Sequence, residues 1–174
     1  MNLDRIHPPA RTARAVLIIL LLGASLAMAA EPGGRIEGVL GERDIVVDMD
    51  IDQSDWYGDG NSGGVSMMSR PVSPQDGLGR LSIGFEGSDF QGGRFHRAEV
   101  DLSVIGARGV VYRATLDDGL ELNIQQAAAQ DGLLLLQGQA RGLLTRQQFP
   151  ERTRDDADTL AIDLSFSVQI GNSY

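Results

Sequence analysis

The stretch LAIDLSFSVQI, residues 160–170, alternates apolar and polar side chains without interruption. One set of alternate positions is wholly apolar: Leu160, Ile162, Leu164, Phe166, Val168 and Ile170. Because successive side chains of a β-strand point to opposite faces of a sheet, this set forms a single apolar face. A period of two along the whole stretch predicts a strand that is buried on one side, and it does not fit an amphipathic helix.

The same alternation recurs upstream of this strand. The segments LSIGF (81–85), HRAEVDLSV (96–104) and LELNI (120–124) repeat it, with turn-forming Asp-Gly pairs at 118–119 and 131–132. Alternating segments joined by Asp-Gly turns are typical of antiparallel hairpins. The pattern predicts strands near residues 35–40, 44–52, 65–70, 79–86, 94–105, 110–117, 120–127, 133–144 and 159–170.

Two polar segments, residues 53–64 and 146–158, show no alternation. We expect both to be long loops, and loops of this length are more often functional or disordered than simple connectors. The remaining pattern predicts one all-β domain over residues 30–174, with about eight or nine antiparallel strands. Sequential hairpins suit either a β-sandwich or an up-and-down β-barrel, and the sequence does not fix the strand order.

The N-terminal segment has the composition of a targeting signal. Arg5, Arg11 and Arg14 precede the apolar run AVLIILLL at 15–22, and small residues follow, ending in Ala-Met-Ala at 27–29. A basic region, a short apolar core and an A-x-A site are typical of a cleaved secretory signal peptide. We therefore expect residues 1–29 to be removed and the protein to be periplasmic or secreted.

Charge and cysteine content narrow the possible functions. The chain has a net charge of −9, residues 1–29 contribute +2 from three Arg and one Asp, and residues 30–174 therefore carry −11. An acidic domain of this kind argues against nucleic acid and anionic lipid as partners, and it suits cations or a basic partner. The absence of cysteine excludes thiol nucleophiles, thiolate metal sites and disulfides.

The motif GNSGG at residues 60–64 resembles the loop around the nucleophilic serine of trypsin-like proteases. That family orders its triad His, Asp, Ser, whereas the only histidine before Ser62 is His7, inside the predicted signal peptide. A serine without a correctly placed base is a poor nucleophile. We interpret the motif as a glycine-rich loop that needs positive φ angles, and we predict that the protein is not an enzyme.

Acidic residues near the same loop suggest a calcium site. Asp52, Asp55, Asp59 and Asn61 could supply oxygen ligands together with backbone carbonyls. Their spacing does not match the EF-hand loop, so composition and the predicted export alone support calcium. His96, the only histidine of residues 30–174, is expected on the apolar face of its strand, as a core or barrel-mouth residue and not a metal ligand.

Trp56 and Tyr57 lie side by side in the predicted loop 53–64. Aromatic side chains on a long loop are good anchors for recognition, so both are candidate binding residues. The alternative is that the loop packs its aromatic side chains down onto one end of the core.

Together these observations predict an exported, non-enzymatic binding or accessory module that uses residues 53–64, with calcium as a possible cofactor. Its partner is an unknown protein, glycan or small ligand. One alternative is a carrier that holds a lipid or small molecule inside a barrel, in the manner of lipocalins. The other is a small outer-membrane barrel, which the alternating apolar C-terminal strand favours but the low aromatic content and Asn172 oppose.

Overall fold

The computed structural model describes residues 33–150 and 153–172, and most of them lie in β-strands. The predicted signal peptide, residues 1–29, lies outside these residues. The strands are β1 (Gly33–Leu40), β2 (Arg43–Asp48), β3 (Asp55–Gly58), β4 (Gly63–Ser73), β5 (Leu78–Asp89), β6 (Arg94–Val104), β7 (Val110–Thr115), β8 (Glu121–Gln130), β9 (Leu133–Gln148) and β10 (Thr153–Gly171). Short 3-10 turns occupy Ile51–Gln53, Pro74–Asp76 and Leu116–Asp118, and the described part of the chain contains no α-helix.

All ten strands belong to one antiparallel sheet, with the order β2-β1-β10-β9-β7-β6-β5-β4-β3 and β8 added at β9. This confirms the predicted all-β, antiparallel class. The sheet is not closed, because β2 and β3 end the path. Each end of the sheet also makes one isolated β-bridge. Next to β2, Met49 bridges to Ser69 of β4, and in β3, Trp56 bridges to Asn172.

Strand β9 joins the two halves of the sheet. One of its edges pairs with β10 over the full length of β9. The other edge pairs with β8 over residues 133–141 and with β7 over residues 145–148. β7 and β8 therefore lie one after the other along the same edge of β9, separated by the 3-10 turn Leu116–Asp118. Of these two strands, only β7 also pairs with β6.

The core lies on the apolar faces that the alternation predicts. In β10, the side chains of Ile162, Leu164, Phe166, Val168 and Ile170 are buried. Leu81, Ile83 and Phe85 of β5 are buried as well, as expected. Each such side chain contributes about 1.5–3 kcal/mol when it is fully removed from water, so these two strands anchor the fold.

The expected inward position of His96 is wrong, since the side chain is exposed. Glu86 pairs with Arg97 and Gly87 pairs with Phe95, so β6 holds one residue more than β5 at this point, and that residue is His96. A β-bulge of this kind breaks the period of two. Phe95 takes the inward position and packs edge-on against Phe85, with ring centroids 5.6 Å apart.

The two predicted loops contain more strand than expected. Segment 53–64 includes β3, whose four residues are too few to show alternation in the sequence. In segment 146–158, β9 continues to Gln148 and β10 begins at Thr153. The pairing of these two strands shifts register between Asp155 and Thr159, which conceals their period. No helix of the described residues is long and apolar enough to cross a bilayer.

Candidate functional site

The two candidate aromatic residues point in opposite directions. Because β3 is a strand, Trp56 and Tyr57 face opposite sides of the sheet. Trp56 is 4% exposed and belongs to the hydrophobic core, whereas Tyr57 is 42% exposed on the outer face. The structure therefore places Trp56 among the core residues and leaves Tyr57 as the accessible candidate.

The ring of Tyr57 lies across the backbone of Gly64, its partner on β4. A Cβ atom built on Gly64 would lie 2.3 Å from Cε1 of Tyr57 and 2.6 Å from Cζ, so any larger residue at this position would displace the ring. An aromatic ring that covers a cross-strand glycine is a known device in sheets. The contact fixes one face of the ring against the sheet, and the side chain keeps its outward exposure.

Tyr57 borders a surface depression of about 250 Å³, which we call the trough. Strands β3, β4, β5 and β6 form it, and their register aligns the outward residues in two cross-strand rows. The first row contains Asp55, Ser66, Gly84 and Glu99, and the second contains Tyr57, Gly64, Glu86 and Arg97. Three of the four inner positions carry small residues, Gly64, Ser66 and Gly84, and form a low floor. The fourth inner position carries Glu86, and the four end positions carry larger side chains, which form the walls.

Gly84 leaves space in this floor that the fold itself does not require. The nearest atoms to a Cβ built there are Cγ of Glu99 at 3.7 Å and Oε1 of Glu99 at 3.8 Å, which are ordinary contact distances. The backbone of Gly84 is also outside the left-handed region. Glycine inside a strand costs about 0.5–1 kcal/mol relative to alanine. It often marks a place where a ligand or another backbone approaches closely.

The charges around the trough are mostly negative. Asp55, Glu86 and Glu99 provide carboxylates, and Arg97 provides one guanidinium. Nη2 of Arg97 donates a hydrogen bond to Oε1 of Glu99 at 2.8 Å, and the two side chains are 61% and 23% exposed. Exposed ion pairs contribute at most about 1 kcal/mol, so this pair can exchange partners at small cost.

The tip of the β3–β4 hairpin, residues 59–62, is held by its own side chains. Oδ1 of Asp59 accepts hydrogen bonds from the backbone N–H groups of Asn61 at 3.0 Å and Ser62 at 2.8 Å. These bonds hold the pKa of the Asp59 carboxyl below its ordinary value. The side chain of Asn61 then joins the tip to the β5–β6 turn. Nδ2 of Asn61 donates a hydrogen bond to Oδ1 of Asp89 at 3.2 Å. Oδ1 of Asn61 accepts a hydrogen bond from the backbone N–H of Gln91 at 3.2 Å.

The four candidate calcium ligands fall in two places. Asp59 and Asn61 meet in the hairpin tip. Asp52 and Asp55 line a separate depression beside the end of β10. Within residues 33–150 and 153–172, no three His, Asp or Glu side chains form a metal-binding group. Calcium binding stays a prediction.

Ser62 belongs to the same hairpin tip. Its backbone N–H donates to Asp59, and its carbonyl accepts from the backbone N–H of Asp59 at 3.1 Å. Gly58 and Gly63, which flank the tip, have φ angles of 117° and 124°. Among the described residues no hydrogen bond joins Ser62 to His96. The glycines around Ser62 are therefore explained by the turn, while the absence of enzymatic activity stays a prediction.

Sequence reasoning did not identify the walls and floor of the trough. Ser66, Gly84, Glu86, Arg97 and Glu99 come from three strands, and only the strand order brings them together. One signal was present in the sequence. Gly84 occupies an outward position in the middle of LSIGF, where a strand normally carries a larger side chain.

Comparison of the chain with protein-family models, curated proteins and solved structures found no match in any of the three.

Proposed function

We propose that the protein is an exported, non-enzymatic binding module and that the trough on β3–β6 is its ligand site. The observation that carries this proposal is Gly84, an open position in the middle of a strand beside the exposed ring of Tyr57. The recognition surface thus includes Asp55 and Tyr57 of the segment 53–64, and extends it onto the neighbouring strands.

The geometry supports binding to the flat face of the sheet. Four strands spaced about 4.8 Å apart make the trough roughly 14 Å wide, enough for several residues of an extended chain or for two sugar rings. The ring of Tyr57 offers a rigid apolar surface with little conformational entropy to lose. Carboxylates and a guanidinium around a small floor supply the convergent polar groups that binding sites use for orientation.

Nuclear magnetic resonance titration of residues 30–174 tests the proposal without knowledge of the natural ligand. Three probes represent the main chemistries: n-butylammonium for cations, methyl glucoside for neutral sugars and butyrate for anions. We expect at least one to shift the amide resonances of Ser66 and Gly84 in a saturable way. If none of the three shifts these resonances, the trough is not a binding site and the proposal fails.

Gly84→Val separates binding from folding. Valine favours a strand, and the contact distances at this site leave room for its Cβ, so the melting temperature is expected to stay the same or rise. The added methyl groups fill the floor, and we expect them to abolish the shifts. Ser167→Val, on the exposed outer face of β10, is the matched control and should leave binding unchanged.

Export is part of the same proposal. Expression of the full chain in a bacterium, followed by mass spectrometry of the periplasmic fraction, tests it. Cleavage after Ala29 should give a protein that starts at Ala30. Product that keeps residues 1–29 and stays with the membranes would contradict the predicted signal peptide.

We further propose that the sheet folds over as a sandwich and not as a barrel with an internal cavity. Large side chains from both halves occupy the interior, including Phe85 and Leu102 from one half and Leu136 and Leu164 from the other. The carrier alternative requires an empty apolar interior. The carrier would be favoured if a fluorescent fatty acid bound with micromolar affinity and none of the three small-molecule probes of the trough displaced it.

A further inference from the structure

The charge and shape of the trough indicate which ligands it prefers. We infer that the trough binds an extended basic polypeptide segment, through an ammonium or guanidinium group placed over Tyr57 and between the carboxylates. This inference rests on the proposed function, since it names the ligand class of the same site.

The first step is the distribution of charge. Asp55 stands beside Tyr57 on β3, and Glu86 and Glu99 stand on the two strands across the floor. Arg97 offsets one of the three carboxylates, so the lining carries a net charge of −2. Residues 30–174 carry −11, and the long-range field therefore attracts cations as well.

The second step is the aromatic ring. Tyr57 packs one face against Gly64 and is 42% exposed, which leaves its other face available from outside. The face of an aromatic ring attracts a cation placed within about 6 Å of its centre. A ring flanked by carboxylates is thus better suited to an ammonium or guanidinium group than to an anion.

The third step is the floor. Ser66 and Gly84 keep the middle of the trough low, so a backbone can lie across the strands while its side chains reach the walls. A width of roughly 14 Å matches about four residues of an extended chain at about 3.3 Å each. A basic tetrapeptide is therefore the smallest ligand that spans the site.

Arg97 then acts as an internal competitor. Its guanidinium already donates one hydrogen bond of 2.8 Å to Glu99, and its positive charge repels any cation that enters the second row. Two like charges about 6 Å apart in water interact by about 0.7 kcal/mol, which corresponds to roughly a threefold change in affinity. Removal of the Arg97 charge should therefore strengthen the binding of a cation. The same change should weaken the binding of a sugar or an anion, because Arg97 would help to hold either one.

The test is a titration of residues 30–174 with tetralysine at low ionic strength, followed by the amide resonances of Ser66 and Gly84. We expect saturable shifts with tetralysine and none with tetraglutamate. Arg97→Gln should tighten tetralysine binding about threefold. Glu86→Gln should weaken it by a similar factor. Arg141→Gln, which removes the same charge from the exposed Arg141–Asp163 pair on the other half of the sheet, is the control and should leave the affinity within experimental error.

The outcomes separate the two proposals. Shifts with methyl glucoside but not with tetralysine would preserve the trough as a binding site and overturn the basic ligand. Unchanged or weaker tetralysine binding in Arg97→Gln would also overturn it. Calcium chloride that produced the same shifts and displaced tetralysine would assign the carboxylates to a metal instead. If no probe shifts the amide resonances of Ser66 and Gly84, both proposals are wrong.

Discussion

The tip joins β3 to β4 and the floor of the trough lies on β4 and β5, and the two regions use glycine for opposite reasons. At the tip, Gly58 and Gly63 adopt φ angles of 117° and 124°. A Cβ on Gly63 would lie 2.0 Å from the carbonyl oxygen of Tyr57. On the floor, Gly84 has ordinary backbone geometry and room for a side chain. The tip needs its glycines in order to fold, whereas the fold does not require a glycine at position 84 of the floor.

The same contrast separates the two neighbouring aromatic residues of β3. Trp56→Ala removes a side chain that is 4% exposed, and we expect it to lower the free energy of unfolding by about 3–5 kcal/mol. Tyr57→Ala, on the outer face, should cost less than about 1 kcal/mol because little buried area is lost. Urea denaturation of both variants measures the difference. Equal costs would show that Tyr57 is a structural residue and would weaken its assignment to the trough.

The glycine comparison can be tested directly with alanine at both places. Gly63→Ala forces a Cβ against a backbone carbonyl and a residue into a disfavoured φ, so we expect a loss of about 2–3 kcal/mol. Gly84→Ala should be neutral or stabilise the protein by up to about 1 kcal/mol. Thermal and urea midpoints give both values. A large loss at Gly84 would mean that the fold does need this glycine.

The tip depends on the side chain of Asn61 as well as on its glycines. Asn61→Ala removes two hydrogen bonds that join the tip to the β5–β6 turn, one to Asp89 and one from Gln91. At about 0.5–1.5 kcal/mol for each bond, we expect a total loss of about 1–3 kcal/mol in urea denaturation. Ser66→Ala, on the floor of the trough, is the comparison variant. If Ser66→Ala lowers the free energy of unfolding as much as Asn61→Ala does, the tip and the floor do not differ in their importance for folding.

Acid should weaken the tip of the hairpin. Backbone N–H groups of Asn61 and Ser62 lower the pKa of Asp59, and the N–H of Gly92 and the side chain of Asn61 lower that of Asp89. A carboxyl whose pKa is lowered by folding stabilises the protein above its ordinary pKa of about 4, and this stabilisation is lost as the pH falls through the folded value.

Urea midpoints measured from pH 7 to pH 2 check this effect, with Asp59→Asn as the matched variant. The difference in stability between wild type and variant should stay constant down to about pH 4 and narrow below it. A difference that does not change with pH would show that the charge of Asp59 is irrelevant to the tip.

The sequence was sufficient where side chains alternate without interruption. The buried face of β10 and that of β5 follow from residues 160–170 and 81–85 alone. It was insufficient at bulges, because one extra residue in β6 turned His96 outward and Phe95 inward. A four-residue strand such as β3 leaves no period to detect, so Trp56 and Tyr57 were both assigned to a loop.

The candidate site was only partly predictable for a related reason. Asp55 and Tyr57 were identified from composition. Their partners across the trough depend on which strands are neighbours, and that order comes from long-range pairing, which local patterns do not encode. Glu86, Arg97 and Glu99 are ordinary outward residues of alternating strands until the sheet is assembled.

Strand β9 has a consequence for how the molecule opens. It pairs with β10 on one edge and with both β7 and β8 on the other, so its backbone amides face strands on both sides along most of its length. Separation of either half of the sheet therefore exposes β9. Its amides should be among the last to exchange with deuterium, and the two halves should unfold as one cooperative unit, while the short end strand β3 exchanges early.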